Sequence, residues 1–211
     1  MKCIILIAAP AAGKGTISKY IEDKYNYKHI STGDLLRDEV KKNTNIGIKI
    51  KPILEKGSLV GDDIIEEVFK KEFNKTKSNI ILDGIPRTLT QAKMLDNLDQ
   101  ESENVEITKV INIDIDKEIA INRIENRLIC ESCGSVYNKN IIKENVCTKC
   151  GGNLSSRSDD TKETFLDRYD TFVKQTKPLL EHYGDKVVTI YNNTSLEDVY
   201  KSVDEVLKGD E

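Results

Sequence analysis

The sequence predicts an α/β fold: a mainly parallel sheet covered by helices on both faces, carrying two inserted segments. Three observations predict it. Short apolar runs with strand character recur at 2–7, 80–82, 110–113 and 187–190. The long charged stretches between them space their apolar residues as helices do. The first run also leads straight into a glycine-containing loop, Ala8-Ala9-Pro10-Ala11-Ala12-Gly13-Lys14-Gly15-Thr16, ahead of a helical pattern. Alternating strands and helices bury both faces of a sheet, which is why the strands read as continuous apolar runs.

Taken in order, Lys2 to Ile7 is the first strand, and His29-Ile30 closes a short second one after the first helix. Ile64, Ile65, Val68 and Phe69 make one helical face, and Ala120, Ile121, Ile124 and Leu128 another. The last helix is expected over about 195–208, through Leu196, Val199, Val203 and Leu207. Two segments break the rhythm. Residues 31–60 are helical and punctuated by glycine, opening Ser31-Thr32-Gly33-Asp34 and running into Ser58-Leu59-Val60-Gly61. Residues 126–160 hold four cysteines and a polar exit at 155–160. Both read as insertions into a core formed by 1–30, 61–125 and 161–211.

At 211 residues the chain fits one large domain, and 38 % hydrophobic with 32 % charged residues is a globular profile. A formal net charge of −4 gives no general attraction to nucleic acid or to an anionic membrane. The apolar start is cut short by Pro10, Gly13 and Lys14, too soon for a signal peptide or a membrane span, so a cytoplasmic protein is expected.

The loop at 8–16 has the context of a phosphate site. Successive backbone amides at Ala11, Ala12, Gly13 and Gly15 can cradle phosphate oxygens, and the helix N-terminus adds a favourable dipole. Lys14 brings a point charge, and the Thr16 hydroxyl can serve a magnesium ion. The generic signature wants glycine at 8 and Ser/Thr at 15, so the match is imperfect. Asp83 ends the Ile80-Ile81-Leu82 strand, where a carboxylate can hold the hydration shell of Mg²⁺. Cys130-x₂-Cys133 and Cys147-x₂-Cys150, thirteen residues apart, form two knuckles able to wrap four thiolates around a structural Zn²⁺. Gly134 and Gly151 give each knuckle room to turn. An iron–sulfur centre is the minority alternative, and disulfides conflict with a cytosolic chain.

Only six of the 32 basic side chains are arginine: Arg37, Arg87, Arg123, Arg127, Arg157 and Arg168. A planar fork grips phosphate better than the ammonium used elsewhere, so the six point to one polyphosphate ligand. Arg123 and Arg127, four apart on an expected helix, would face one cleft. Asp160-Thr161-Lys162-Glu163 reads as a capping box that starts a helix, with Arg168 about two turns inside it.

With these motifs in order, the whole chain resembles the adenylate kinases, and most closely their long form with a zinc-ribbon lid. The resemblance implies a P-loop NTPase-like core, an NMP-binding flap at 31–60 and a lid at 126–160. It implies reversible transfer from MgATP to AMP, yielding ADP, with the six arginines and Lys14 around the phosphates. Thr32, Arg37, Arg87 and Gln91 match family AMP-site residues, joined by Ser58, Leu59, Val60, Gly84, Ile85 and Pro86 through backbone. Arg157 and Arg168 match the pair that closes over both nucleotides, and Arg123 and Arg127 the pair at the transferring phosphates. Val136 and Tyr137 match lid residues near the ATP base and ribose. A monomer without an obligate protein partner is implied. Another nucleoside monophosphate kinase, or a non-enzymatic zinc-ribbon regulator or nucleic-acid binder, are the alternatives. The family places glycine where Ala8 and Ala11 stand here. A loop shape compatible with alanine is expected, making both alanine-to-glycine changes nearly neutral in turnover.

Overall fold

The computed structural model describes residues 1–101, 105–157 and 159–208. Five parallel strands form the central sheet: β1 (Lys2–Ala8), β2 (Lys28–Ser31), β3 (Ile80–Asp83), β4 (Glu106–Asp114) and β8 (Val187–Tyr191), in the order β2-β3-β1-β4-β8. The first strand pairs with β3 on one side and β4 on the other. Successive side chains of β1 therefore feed two separate cores. Ile4, Leu6 and Ala8 pack with Ile17 and Ile21 of α1 (Lys14–Tyr25), with Ala120, Ile121 and Ile124 of α6 (Lys117–Glu125), and with α9 (Leu196–Leu207). Cys3, Ile5 and Ile7 pack with Ile65, Val68 and Phe69 of α4 (Asp62–Phe73) and Ala92 and Leu95 of α5 (Leu89–Glu101). The inner strands β1 and β3 are apolar on both faces, whereas the edge strands β2 and β8 leave Lys28, Thr189 and Tyr191 exposed.

The first insertion folds as α2 (Thr32–Lys41) and α3 (Asn45–Glu55). They approach closely at Gly47, where a β-carbon would lie 2.1 Å from the Glu39 carbonyl oxygen, so only glycine fits. Ser31 and Thr44 cap the two helices by accepting hydrogen bonds from the Asp34 and Gly47 amides. The second insertion is a small antiparallel sheet, β6-β5-β7, of β5 (Arg127–Cys130), β6 (Val136–Asn138) and β7 (Leu154–Ser155). It leads into α7 (Lys162–Thr171), a π-helical turn at Phe172–Thr176, and α8 (Leu179–Tyr183). Among the described residues, no helix is long and apolar enough to cross a membrane.

Two sequence expectations fail here. Helix α6 ends at Glu125, so Leu128 and Arg127 lie on β5 rather than on the helix. Leu128 is buried in the small lid core instead, which accounts for an apolar residue at helical spacing. The cap of α7 is Thr161, whose hydroxyl accepts from the Thr164 amide. Asp160 is withdrawn from capping because its carboxylate pairs with Arg127.

Candidate functional site

In a parallel sheet the carboxyl ends of all strands lie at one edge, and a crevice opens where the strand order reverses. Here that point is β1, with β3 and β4 on either side of it. The loop after β1 closes on itself through the Ala12 amide and the Ala9 carbonyl at 3.3 Å, and Gly13 then starts α1 with φ +90°. A β-carbon at Gly13 would meet Asn192 Nδ2 at 2.5 Å, so both backbone shape and space demand glycine. Asn192, buried just beyond β8, donates from Nδ2 to the Ala12 carbonyl at 2.8 Å. The Arg123 fork donates to the Asn192 backbone carbonyl at 3.1 Å and side-chain oxygen at 3.3 Å. One asparagine thus ties the loop to the first of the two expected transfer arginines.

Ala8 sits at the end of β1, but Ala11 has φ +60°. The expectation of an alanine-compatible shape fails at Ala11, because a left-handed conformation brings its β-carbon against the backbone.

Lys14 opens α1 and reaches back to the Ala8 carbonyl at 3.4 Å. Burial lowers its pKa to about 8; the Asp83 carboxylate opposes that shift, while Arg87, Arg168 and Arg127 add to it. Burial alone would raise the Asp83 pKa. The adjacent His29, with Nε2 3.4 Å from Oδ2, and the charges of Lys14 and Arg87 outweigh it and hold Asp83 below the usual carboxylate range. The arginines share the strain of Lys14. Burial lowers Arg157 to about 10, helped by repulsion from Arg37 and Arg127. Arg87 and Arg168 are lowered by burial first and by neighbouring guanidinium groups after it. A cluster of half-buried, mutually repelling cations, only partly offset by acidic partners, favours a polyanion.

Beside this cluster lies a cavity of about 310 Å³. Its walls include Thr32, Arg37, Ser58, Leu59, Val60, Gly84, Arg87, Gln91, Arg157 and Arg168. These are the residues expected on the acceptor side, apart from Ile85 and Pro86. Ile85 is fully buried, while Pro86 lines a smaller cavity, about 50 Å³, that joins Lys14 to Gly84, Arg87 and Arg168. Gly84 has φ +83°, and a β-carbon there would lie 2.7 Å from Thr32 Oγ1. The Arg87 fork is aimed by its Nε–H, which donates to the Gly84 carbonyl at 3.0 Å. Its backbone carbonyl accepts from the Thr176 hydroxyl at 3.0 Å.

Sequence reasoning missed the acidic partners. Asp160 receives both donors of the Arg127 fork, with Nε at 2.7 Å, and Asp159 receives Arg168 at 2.9 Å. The signal lies in the sequence, where the two aspartates stand two and three residues after Arg157, inside a stretch that reads as a polar exit and, from Asp160, as a helix cap. Asn192 had a weaker signal: a polar residue directly after a core strand must emerge at the same sheet edge as the loop.

The four cysteines converge, with all four Sγ atoms within 4.8 Å of one another. Cys130 to Cys150 is 3.4 Å and Cys133 to Cys147 is 3.6 Å, and no disulfide joins the described cysteines. Four ligands 2.3 Å from a tetrahedral Zn²⁺ lie about 3.8 Å apart, so the donor set fits that ion. Gly134 and Gly151, with φ +70° and +74°, return amide bonds to the carbonyls of Cys130 and Cys147. Val136 and Tyr137 line neither cavity. Val136 is 52 % exposed, and the Tyr137 hydroxyl contacts Cys147 Sγ at 3.1 Å and Thr148 Oγ1 at 3.2 Å.

A phosphate loop at the switch point of a parallel sheet, facing a second cavity across a bank of arginines, defines a nucleoside monophosphate kinase. Comparison with known proteins narrows the class. A family model described as "Adenylate kinase" matches residues 6–188. The chain is 40 % identical to the adenylate kinase of Acetivibrio thermocellus over 98 % of each chain. It is 40 % identical to that of Caldicellulosiruptor bescii, covering 95 % of this chain and 96 % of the relative. With the adenylate kinase of Petrotoga mobilis the identity is 39 %, over 97 % of each. The chain belongs to the adenylate kinase family.

Proposed function

We propose a division of labour among these side chains for the reaction of the family, ATP + AMP = 2 ADP. The acceptor is a phosphate already anionic near neutral pH, so no side chain need remove a hydroxyl proton. The task is to hold two anions in line and to stabilise charge on the group passing between them. The amides of residues 11–16 and the Lys14 ammonium bind the donor phosphates. Val136 and Tyr137 approach the donor base and ribose. Arg37 and Arg87 hold the acceptor phosphate, Thr32 and Gln91 meet its base, and the segments at 58–60 and 84–86 contribute backbone contacts. Arg123, Arg127, Arg157 and Arg168 complete the cage around the transferred group.

Thr16 and the ionised Asp83 would hold magnesium, which would supply positive charge to offset that of the donor phosphates. The thiol set of Cys130, Cys133, Cys147 and Cys150 would hold a structural zinc ion, which stiffens the lid. Segments 31–60 and 126–160 act as flap and lid on a core of 1–30, 61–125 and 161–211, and closure excludes water that would otherwise hydrolyse ATP. The protein works in the cytoplasm as a monomer on ATP, AMP and ADP. It has no nucleic-acid, membrane or obligate protein partner.

The observation that best supports this reading is the cation cluster, in which Lys14, Arg87, Arg157 and Arg168 all have lowered pKa values between the phosphate loop and the second cavity. In this reading Asp159 and Asp160 position the Arg168 and Arg127 guanidinium groups, which exchange these carboxylate contacts for the incoming phosphates. A coupled phosphotransfer assay across nucleoside monophosphate acceptors and triphosphate donors tests it. ADP formed preferentially from ATP and AMP is expected; equal turnover with UMP or CMP would overturn the acceptor assignment.

A further inference from the structure

We infer that Asp62 is a positioning residue that fixes the side-chain amide of Gln91 and thereby sets discrimination at the acceptor base. The inference rests on the reading of Gln91 as a base contact. Gln91 is 4 % exposed and lines the larger cavity. Its Nε2 donates to Asp62 Oδ1 at 2.7 Å, and its Oε1 accepts from the Arg87 amide at 2.7 Å. A carboxylate can only accept and a backbone amide can only donate. Both partners therefore demand the same amide orientation, and flipping the group would set like against like at both ends.

Asp62 is itself secured. The Thr88 hydroxyl lies 3.2 Å from each of its oxygens and also accepts from the Gln91 backbone N–H at 3.2 Å. Asp62 belongs to α4, Thr88 precedes α5, and Gln91 lies in the first turn of α5. The network therefore joins the start of α4, where the flap ends, to the wall of the acceptor cavity.

The glutamine amide has two hydrogens and two lone pairs, so one of each remains after these bonds. In the fixed orientation they form a donor–acceptor edge that complements a 6-aminopurine, with its exocyclic donor beside a ring-nitrogen acceptor. A 6-oxopurine presents the opposite order, a carbonyl acceptor beside a ring N–H. It would be matched only by the flipped amide, which Asp62 opposes.

The test compares AMP and IMP as acceptors for Asp62→Ala and Asp62→Ser, two side chains too short to reach Gln91. Both are expected to raise KM for AMP and to cut the kcat/KM preference for AMP over IMP about tenfold, with kcat changed less than about twofold. Asp62 also lies in the first turn of α4, where an acidic group stabilises the helix terminus. Asp63→Ala removes a neighbouring first-turn charge from an exposed site and is expected to leave the preference intact. A preference within about twofold of the parent in both Asp62 variants, or an equal loss in Asp63→Ala, would overturn the role of Asp62. Gln91→Leu separates the two levels. If it keeps the parent's preference, the reading of Gln91 fails; if it alone loses the preference, Gln91 stands and Asp62 falls.

Discussion

The phosphate loop and the four-cysteine ribbon are both short, glycine-punctuated segments, yet different forces hold them in shape. The loop is anchored in the apolar core on one face of the sheet, where Ala9 and Ala12 are themselves buried. Its left-handed glycine is crowded, with Asn192 where a β-carbon would stand. The ribbon has a core of only Leu128, Cys130, Cys147 and Leu154, with Tyr137 and Ile142 against it. Its left-handed glycines, Gly134 and Gly151, have nothing within 4 Å of a β-carbon. So the loop gets its shape from packing, whereas the ribbon is too small to do so and depends on its thiol cluster.

The sharpest way to break that contrast is one substitution made in both places. Gly13→Ala adds a clash with Asn192 to the strain of a left-handed alanine, and displaces the loop that positions the donor phosphates. Misplacement of this kind is expected to cost about 100-fold in kcat/KM. Gly134→Ala adds only the strain, about 1–2 kcal/mol confined to one knuckle, and is expected to change kcat/KM by less than about threefold. Steady-state kinetics on the two variants decides it. Similar losses would mean that the lid knuckle is as tightly coupled to chemistry as the loop.

The same contrast explains what could be read from the sequence. Strands β1, β3, β4 and β8 were legible through their apolar runs, the edge strand β2 only through His29-Ile30, and the loop and the knuckles through chemistry that depends on local spacing. The helix carrying Arg123 was overextended to Leu128 because burial in the ribbon core mimics helical periodicity. Asp62, Asp159, Asp160 and Asn192 escaped for another reason. Each acts on a side chain or carbonyl brought close by the fold, so the polar run at 155–160 and the residue after β8 mark a position without naming its partner.

Charge offers a second test of the loop. With its pKa lowered to about 8 by burial, Lys14 is protonated at pH 7 and largely neutral at pH 9 in the free protein. Bound polyphosphate favours the ammonium, so the complex retains its proton to higher pH. Affinity for ATP is therefore expected to fall as pH rises through 8, by about tenfold between pH 7 and 9, with proton uptake on binding at the upper end. Calorimetry in buffers of different ionisation enthalpy reads that uptake. Constant affinity and no proton uptake over the same range would mean that Lys14 is fully charged before ligand arrives.

Metal depletion addresses the ribbon in the same terms. Removing the ion leaves four thiols, two of them buried, and a core too small to keep its turns. The ribbon is expected to lose amide-exchange protection at Cys130–Gly134 and Cys147–Gly151, while β1, β3 and β4 keep theirs. An unchanged exchange pattern and melting curve in the metal-free protein would refute a structural role for the cluster.

The smallest effect lies within the loop, where two alanines should respond in opposite senses. Ala8 ends a strand with extended backbone and is buried in the core, so Ala8→Gly adds chain entropy to the unfolded state and removes a packed methyl, and is expected to destabilise by about 1 kcal/mol or more. Ala11 is left-handed, and Ala11→Gly removes a penalty of about 1–2 kcal/mol that the same entropy cost partly offsets. A net gain of up to about 1.5 kcal/mol is expected from their difference. Thermal melts of the two variants should therefore move to either side of the parent, with turnover within about twofold for both, since neither change adds or removes a group that contacts phosphate. If Ala11→Gly melts below the parent, then the loop is not strained at that position. Glycine's absence there would then reflect a loop that the packing of Ala9, Ala12 and Asn192 already holds without cost.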